Sequence, residues 1–214
     1  MLQKIKNIID NGNNFLVTTH IDPDGDSVGS ALSMCWMLES LGKKAVLYMK
    51  DQIPYRYEFL PVPSSIRHGL PEESFDAIFV LDCGSLSRVG EGYEKIKTLG
   101  RIVNIDHHDT NEMFGEINLI DPNACSTAEI IYKLHSSLGV LLNYNMGINI
   151  YTAIITDTGS FRHGNTNSNA FLICEEMLRL GVSPSYVSGM VYESHPKERF
   201  RLFGIILTTL ETYK

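Results

Sequence analysis

Three short apolar runs in this chain end in aspartate or histidine, and they constrain the fold more than any other feature. Phe15 to Thr19 leads into His20. Asp76 to Asp82 reads DAIFVLD. Arg101 to Ile105 leads into Asp106-His107-His108. Apolar runs of this length, bounded by turn residues, suit strands buried on both faces. Helical periods lie between and around them. Leu2, Ile5, Ile8 and Ile9 recur at helical spacing, and Ser27 to Leu41 predicts a helix stopped at Gly42. Ala45 to Met49 adds a strand, and Glu91 to Leu99 a helix. Ser126-Thr127-Ala128-Glu129 fits a capping box and starts a helix that runs to Leu138. Further helices are predicted over Gly147 to Thr156, Asn167 to Leu180 and Pro196 to Leu210. Asp51 to Ser74 is rich in proline and turn residues, so only short helical pieces are expected there. Strands alternating with helices predict an α/β fold, a parallel β-sheet flanked by helices on both faces.

Ligands of such sheets bind outside the carboxyl ends of the strands. There the sequence delivers His20, Asp24 and Asp26 after the first strand, Asp82 at the end of the third, and Asp106, His107 and His108 at the end of the fourth. Asp157 closes a later helix. Each segment has a bland reading. Asp22-Pro23-Asp24-Gly25-Asp26 alone could be a solvated turn, and a His-His pair alone a surface feature. An EF-hand is excluded because its sixth and twelfth positions would be Ser27 and Ser33 instead of Gly and Glu. Convergence of four such segments on one sheet edge points instead to a metal centre. Mixed imidazole and carboxylate donors without thiolate suit Mn²⁺, Fe²⁺, Co²⁺ or Zn²⁺. Their number exceeds the needs of one ion and matches two ions bridged by a carboxylate. Gly25 and Gly29 are assigned to tight backbone turns beside the ions.

The remaining chemistry is narrowed by exclusion. No phosphate-binding P-loop or dinucleotide fingerprint occurs in the 214 residues. Cys35, Cys83, Cys125 and Cys174 are scattered in or beside apolar segments, as expected of reduced thiols in an intracellular protein. Nothing beside Cys83 would activate it as a nucleophile. A net charge of −7 argues against gripping long duplex DNA, while small phosphorylated substrates remain compatible. No apolar run is long enough to span a bilayer, and no signal peptide opens the chain, so a cytoplasmic location is expected.

Four motifs in order carry a resemblance: TTHIDPDGDSVGS, FVLDCGS, NIDHHDTN and AIITDTGSF. The chain resembles the DHH phosphoesterase superfamily, and within it the RecJ-like branch of nanoRNases and pAp phosphatases. The stretches INLIDPNACSTAEIIY and TGSFRHGNTNSNAFLICEEML carry the closer similarity. The resemblance implies two divalent ions, Mn²⁺ in this family. His20, Asp24 and Asp82 would hold one; Asp26, Asp82, His107 and Asp157 would hold the other, with Asp82 bridging. His108 would contact the scissile phosphate and serve as general acid or electrostatic stabiliser, and Asp106 would orient the histidines. Hydroxide formed between the ions would attack phosphorus in line. Arg88 is a candidate phosphate contact, and Ser126 and Thr127 at a helix start could donate to phosphate, although a plain cap serves as well.

The implied substrates are short oligoribonucleotides, cleaved to mononucleotides, and 3′-phosphoadenosine 5′-phosphate, cleaved to AMP. Cyclic or linear dinucleotides, pyrophosphate or polyphosphate, or nucleotide binding without turnover are the alternatives. Family members carry a second domain with a glycine-rich motif ending in histidine, which this sequence lacks. Residues 1–190 are therefore expected to form the catalytic domain and 191–214 the start of a linker helix, with more protein following. The apolar side chains Phe200, Leu202, Phe203, Ile205, Ile206 and Leu207 offer a face for pairing with a second copy.

Overall fold

The computed structural model describes residues 1–212. Six parallel strands form one sheet in the order β3-β2-β1-β4-β5-β6. They are β1 (Asn14–Thr18), β2 (Lys44–Tyr48), β3 (Ile66–Arg67), β4 (Ala77–Leu81), β5 (Arg101–Asp106) and β6 (Ile117–Ile120). The helices are α1 (Leu2–Asn11), α2 (Gly25–Ser40), α3 (Tyr93–Leu99), α4 (Thr127–Leu138), α5 (Tyr144–Asp157), α6 (Ser168–Arg179), α7 (Pro184–Ser188) and α8 (Lys197–Leu207). The chain builds outward from β1 to β3, then returns to lay β4 on the other side of β1. That reversal leaves a crevice beyond the carboxyl ends of β1 and β4, where α/β sheets bind ligands.

Alternation along the strands feeds both faces. Phe15 and Val17 point into the larger core with α1, α2, α4, α5 and α6, whereas Leu16 points to the smaller one closed by α3 and the turn at Leu86 and Val89. The two edge strands β3 and β6 were not expected from sequence. Both are short and only partly buried, so they lack the apolar run that marks the central four. The short α7 was also missed. A π-helical turn, Gly189–Glu193, follows it. Helix α8 buries none of its residues. All four cysteines are free and buried, and burial pushes the Cys83 thiol up to about 12, which suits an inert core thiol.

The role expected of Gly25 and Gly29 is corrected by the structure. Both lie inside α2, not in a turn, and both face α5. A Cβ on Gly29 would sit 2.4 Å from the Asn149 carbonyl oxygen and 2.9 Å from the Ala153 Cβ; one on Gly25 would meet Thr156. The glycines permit close crossing of two helices, and that crossing sets how near Asp26 comes to Asp157. Alanine is the better helix former by about 1 kcal/mol. Overpacking costs about 1–3 kcal/mol and should prevail. Gly29→Ala is therefore expected to lower unfolding free energy in urea by about 1–2 kcal/mol; a neutral or stabilising result would mean that α2 and α5 do not depend on this contact.

Candidate metal centre

Six of the expected ligands converge in the crevice. His20, Asp24 and Asp82 form one group with ligand atoms mutually within 4.8 Å, and Asp26, His107 and Asp157 form a second. Asp82 lies between them. Its Oδ2 is 3.6 Å from His20 Nε2 and its Oδ1 is 3.8 Å from His107 Nε2. His107 Nε2 is also 3.7 Å from Asp26 Oδ2 and 3.6 Å from Asp157 Oδ2. These separations are too long for hydrogen bonds. They leave room for a cation between each pair, since metal–ligand bonds of about 2.0–2.2 Å put opposite ligands roughly 4 Å apart.

Each imidazole is aimed by its other nitrogen. His20 Nδ1 lies 2.7 Å from the Ile21 carbonyl oxygen, and His107 Nδ1 lies 3.3 Å from that of Ala124. A carbonyl only accepts, so Nδ1 carries a proton and Nε2 is the nitrogen turned toward the carboxylates. Asp24 caps α2 by accepting from the Ser27 N–H. Asp26, in the first turn of the helix, is buried and accepts from the Thr127 N–H at 2.7 Å and the Ala128 N–H at 3.1 Å. The positive end of α4 thus holds a carboxylate. Ser126 caps α4 and Glu129 reaches back to the Cys125 N–H, while the Thr127 hydroxyl donates to Asp82 Oδ1 at 3.0 Å. Both hydroxyls are buried, that of Thr127 donating to Asp82 and that of Ser126 accepting from the Glu129 N–H. Asp82 itself sits at φ 54°, in the left-handed region, a conformation that costs a non-glycine residue about 1–2 kcal/mol. Strain of this kind gathers at functional sites.

The carboxylates repel. Burial, followed by the charges of Asp82, Asp157 and Asp24, drives the Asp26 carboxyl well above its ordinary range. Burial raises Asp157 to about 6. Cations would remove this penalty, so the donor set fits two divalent ions by position and by charge.

His108 lies within ligand distance of Asp82 and His107, but its Nδ1 is bound to Asp106 Oδ1 at 2.7 Å. This hydrogen bond to a buried carboxylate holds the imidazole up at about 9. Its side chain is 40% exposed, so a substrate can reach it. Arg88 is exposed on the turn after β4, and its carbonyl oxygen accepts from the Ile21 N–H at 2.8 Å. The cavities beside Asp24 do not include it in their walls.

Two asparagines were missed by sequence reading. Asn111 Nδ2 donates to Asp106 Oδ2 at 2.6 Å, and its Oδ1 accepts from Asn104 and from the Met113 N–H. Asn165 Nδ2 donates to Asp157 Oδ2 and to the Cys125 carbonyl oxygen, both at 2.8 Å. Each stands in a turn-like stretch, where asparagine is ordinary, so only the fold reveals what it holds.

The profile of the DHH family, N-terminal domain, matches residues 14–157. A bifunctional oligoribonuclease and PAP phosphatase, NrnA, of Thermus thermophilus is 34% identical over 195 residues, covering 91% of this chain and 58% of that protein. The NrnA of Bacillus subtilis is 26% identical over 185 residues, covering 82% and 56%. The chain thus spans less than two thirds of the length of these relatives. An exopolyphosphatase-related protein from Bacteroides fragilis superposes with a TM-score of 0.90 at 26% identity, over 99% of this chain and 66% of that one. A family II inorganic pyrophosphatase of Methanococcus jannaschii, itself assigned only provisionally, superposes at 0.65 with 19% identity over 82% and 60%, a likeness of fold alone.

Repulsion among the ligands gives a test with opposite signs. In chelator, Asp157→Asn is expected to hold or gain stability, by up to about 1 kcal/mol, because one repelling charge is gone. In Mn²⁺ at a hundredfold over its dissociation constant the wild type gains about 2.7 kcal/mol and the variant less. Thermal melts in both buffers would show the crossing; equal responses to Mn²⁺ would exclude Asp157 as a ligand.

Proposed function

We propose that this chain, which belongs to the DHH family, is the catalytic part of a metal-dependent phosphoesterase acting on very short oligoribonucleotides and on 3′-phosphoadenosine 5′-phosphate. The single observation that carries the reading is the bridging position of Asp82, with one carboxylate oxygen toward each histidine-centred group. The names of the Thermus and Bacillus relatives support the substrate class.

The assigned ions are Mn²⁺, one held by His20, Asp24 and Asp82, the other by Asp26, Asp82, His107 and Asp157. When bound, two such ions draw charge from the phosphoryl oxygens and acidify water held between them. The remaining work belongs to the chain. Asp106, itself fixed by Asn111, keeps His108 protonated near neutral pH and fixes its ring, so Nε2 faces outward as a proton donor. In this reading the water gives up a proton to solvent, its oxygen bonds to phosphorus as the bond to the opposite ester oxygen breaks, and His108 protonates that leaving oxygen. Asp106 acts as a positioning residue. Arg88 remains a proposed contact for an outlying phosphate.

We take residues 1–190 as the catalytic unit and 191–214 as the start of a linker toward further protein or a second copy, because α8 buries nothing. The last two of those residues lie outside the described ones. Among the described residues no helix is long and apolar enough to cross a membrane, which is compatible with the cytoplasmic location assigned here.

The test is release of AMP or phosphate from 3′-phosphoadenosine 5′-phosphate, a short RNA, a linear dinucleotide, a cyclic dinucleotide and pyrophosphate, with and without Mn²⁺. Wild type should act on the first two. Asp82→Ala should lose activity by 10³-fold or more, and His108→Ala by about 10²–10⁴-fold while still binding metal. Turnover confined to pyrophosphate or to cyclic dinucleotides would replace the substrate assignment, and full activity in His108→Ala would remove its role.

A further inference from the structure

The metal centre opens toward one side through two cavities that meet at Asp24 and Tyr57. The smaller, about 110 Å³, reaches Asp26, Thr156 and Asp157. The larger, about 260 Å³, is walled by Asp22, Pro23, Asp24, Pro54, Arg56 and Tyr57. An anionic substrate entering here meets carboxylates on every side of the centre. Arg56 is the one basic side chain in these walls among the described residues.

Arg56 is also held in place to an extent unusual for an exposed arginine. It is the middle residue of a one-turn 3₁₀ helix, Tyr55–Tyr57, started by Pro54 and closed by the Tyr57 N–H donating to the Pro54 carbonyl oxygen at 2.8 Å. Both neighbours are anchored. The Tyr55 hydroxyl lies 2.9 Å from His195 Nδ1, and Tyr57 is buried. The guanidinium carbon stands 5.8 Å from the centroid of the Tyr57 ring. Among the described residues no carboxylate forms an ion pair with it. Its side-chain partner is Tyr57, which keeps the guanidinium beside the metal centre. His108, the residue placed on the leaving oxygen, lines neither cavity, so Arg56 and His108 border different parts of the site.

We propose that Arg56 is a specificity-determining residue that binds the second, non-scissile phosphate of the substrate. This rests on the phosphoesterase reading above and adds to it. A planar guanidinium can engage two phosphate oxygens at once, which a lysine cannot. The site would thus favour nucleotides carrying two phosphates over those carrying one.

The experiment compares adenosine 3′,5′-bisphosphate with adenosine 3′-monophosphate, which differ only in the second phosphate. Turnover is measured with the Mn²⁺-loaded chain, and binding by calorimetry in the His108→Ala background, each with Arg56 intact, Arg56→Lys or Arg56→Gln. Arg56→Gln should raise KM and Kd for the bisphosphate roughly ten- to hundredfold, leave kcat within a few-fold, and change the monophosphate little. Arg56→Lys should fall between. Equal losses for the two nucleotides, or none for the bisphosphate, overturn the role of Arg56 while turnover by the parent leaves the phosphoesterase reading standing. Arg56-dependent bisphosphate binding with no turnover of any substrate keeps the role and removes that reading. Absence of both binding and turnover overturns both.

Discussion

Four carboxylates share one crevice at the end of a parallel sheet, and the surrounding structure is arranged around their repulsion. Asp26 and Asp82 are almost wholly shielded from water, where a like charge is costly and an unpaired one more so. The fold supplies partial compensation from fixed dipoles. Two backbone N–H groups at the start of α4 donate to Asp26, the Thr127 hydroxyl to Asp82, and the Asn165 amide to Asp157. These donors orient the oxygens without neutralising them. Net charge remains for cations to balance, which is the physical link between this packing and the proposed metal centre.

That requirement explains features that look unrelated in sequence. The glycines of α2 serve the centre at a distance, because only hydrogen at those positions lets α5 bring Asp157 opposite Asp26. The left-handed backbone at Asp82 aims one carboxylate between two histidines. Asn111 and Asp106 form a rigid support under His108, with the buried carboxylate satisfied on both oxygens. An imidazole so held stays partly exposed to solvent beside the carboxylates.

Much of this was legible beforehand. The four central strands are continuous apolar runs buried on both faces, so composition alone marks them. Three of them, β1, β4 and β5, end in the residues that carry chemistry, so the parallel topology placed His20, Asp82 and the Asp106–His108 triplet on one edge. The edge strands β3 and β6 were not legible, since two to four half-buried residues carry no period distinct from a loop. Nor were the supporting asparagines, whose partners lie in other segments: Cys83 for Asn111, and Cys125 for Asn165.

The sequence by itself determined which residues could be ligands and at which end of the sheet they would gather, because strand ends and helix caps are set by local pattern. Only the tertiary structure decided how they divide into two groups about Asp82, which imidazole nitrogen faces the site, and that Arg56 stands beside it. Those properties depend on distances between segments far apart in the chain, such as Asp26 with Asp157 or Tyr55 with His195. Local preference carries no information about such distances; helix crossings and sheet order fix them.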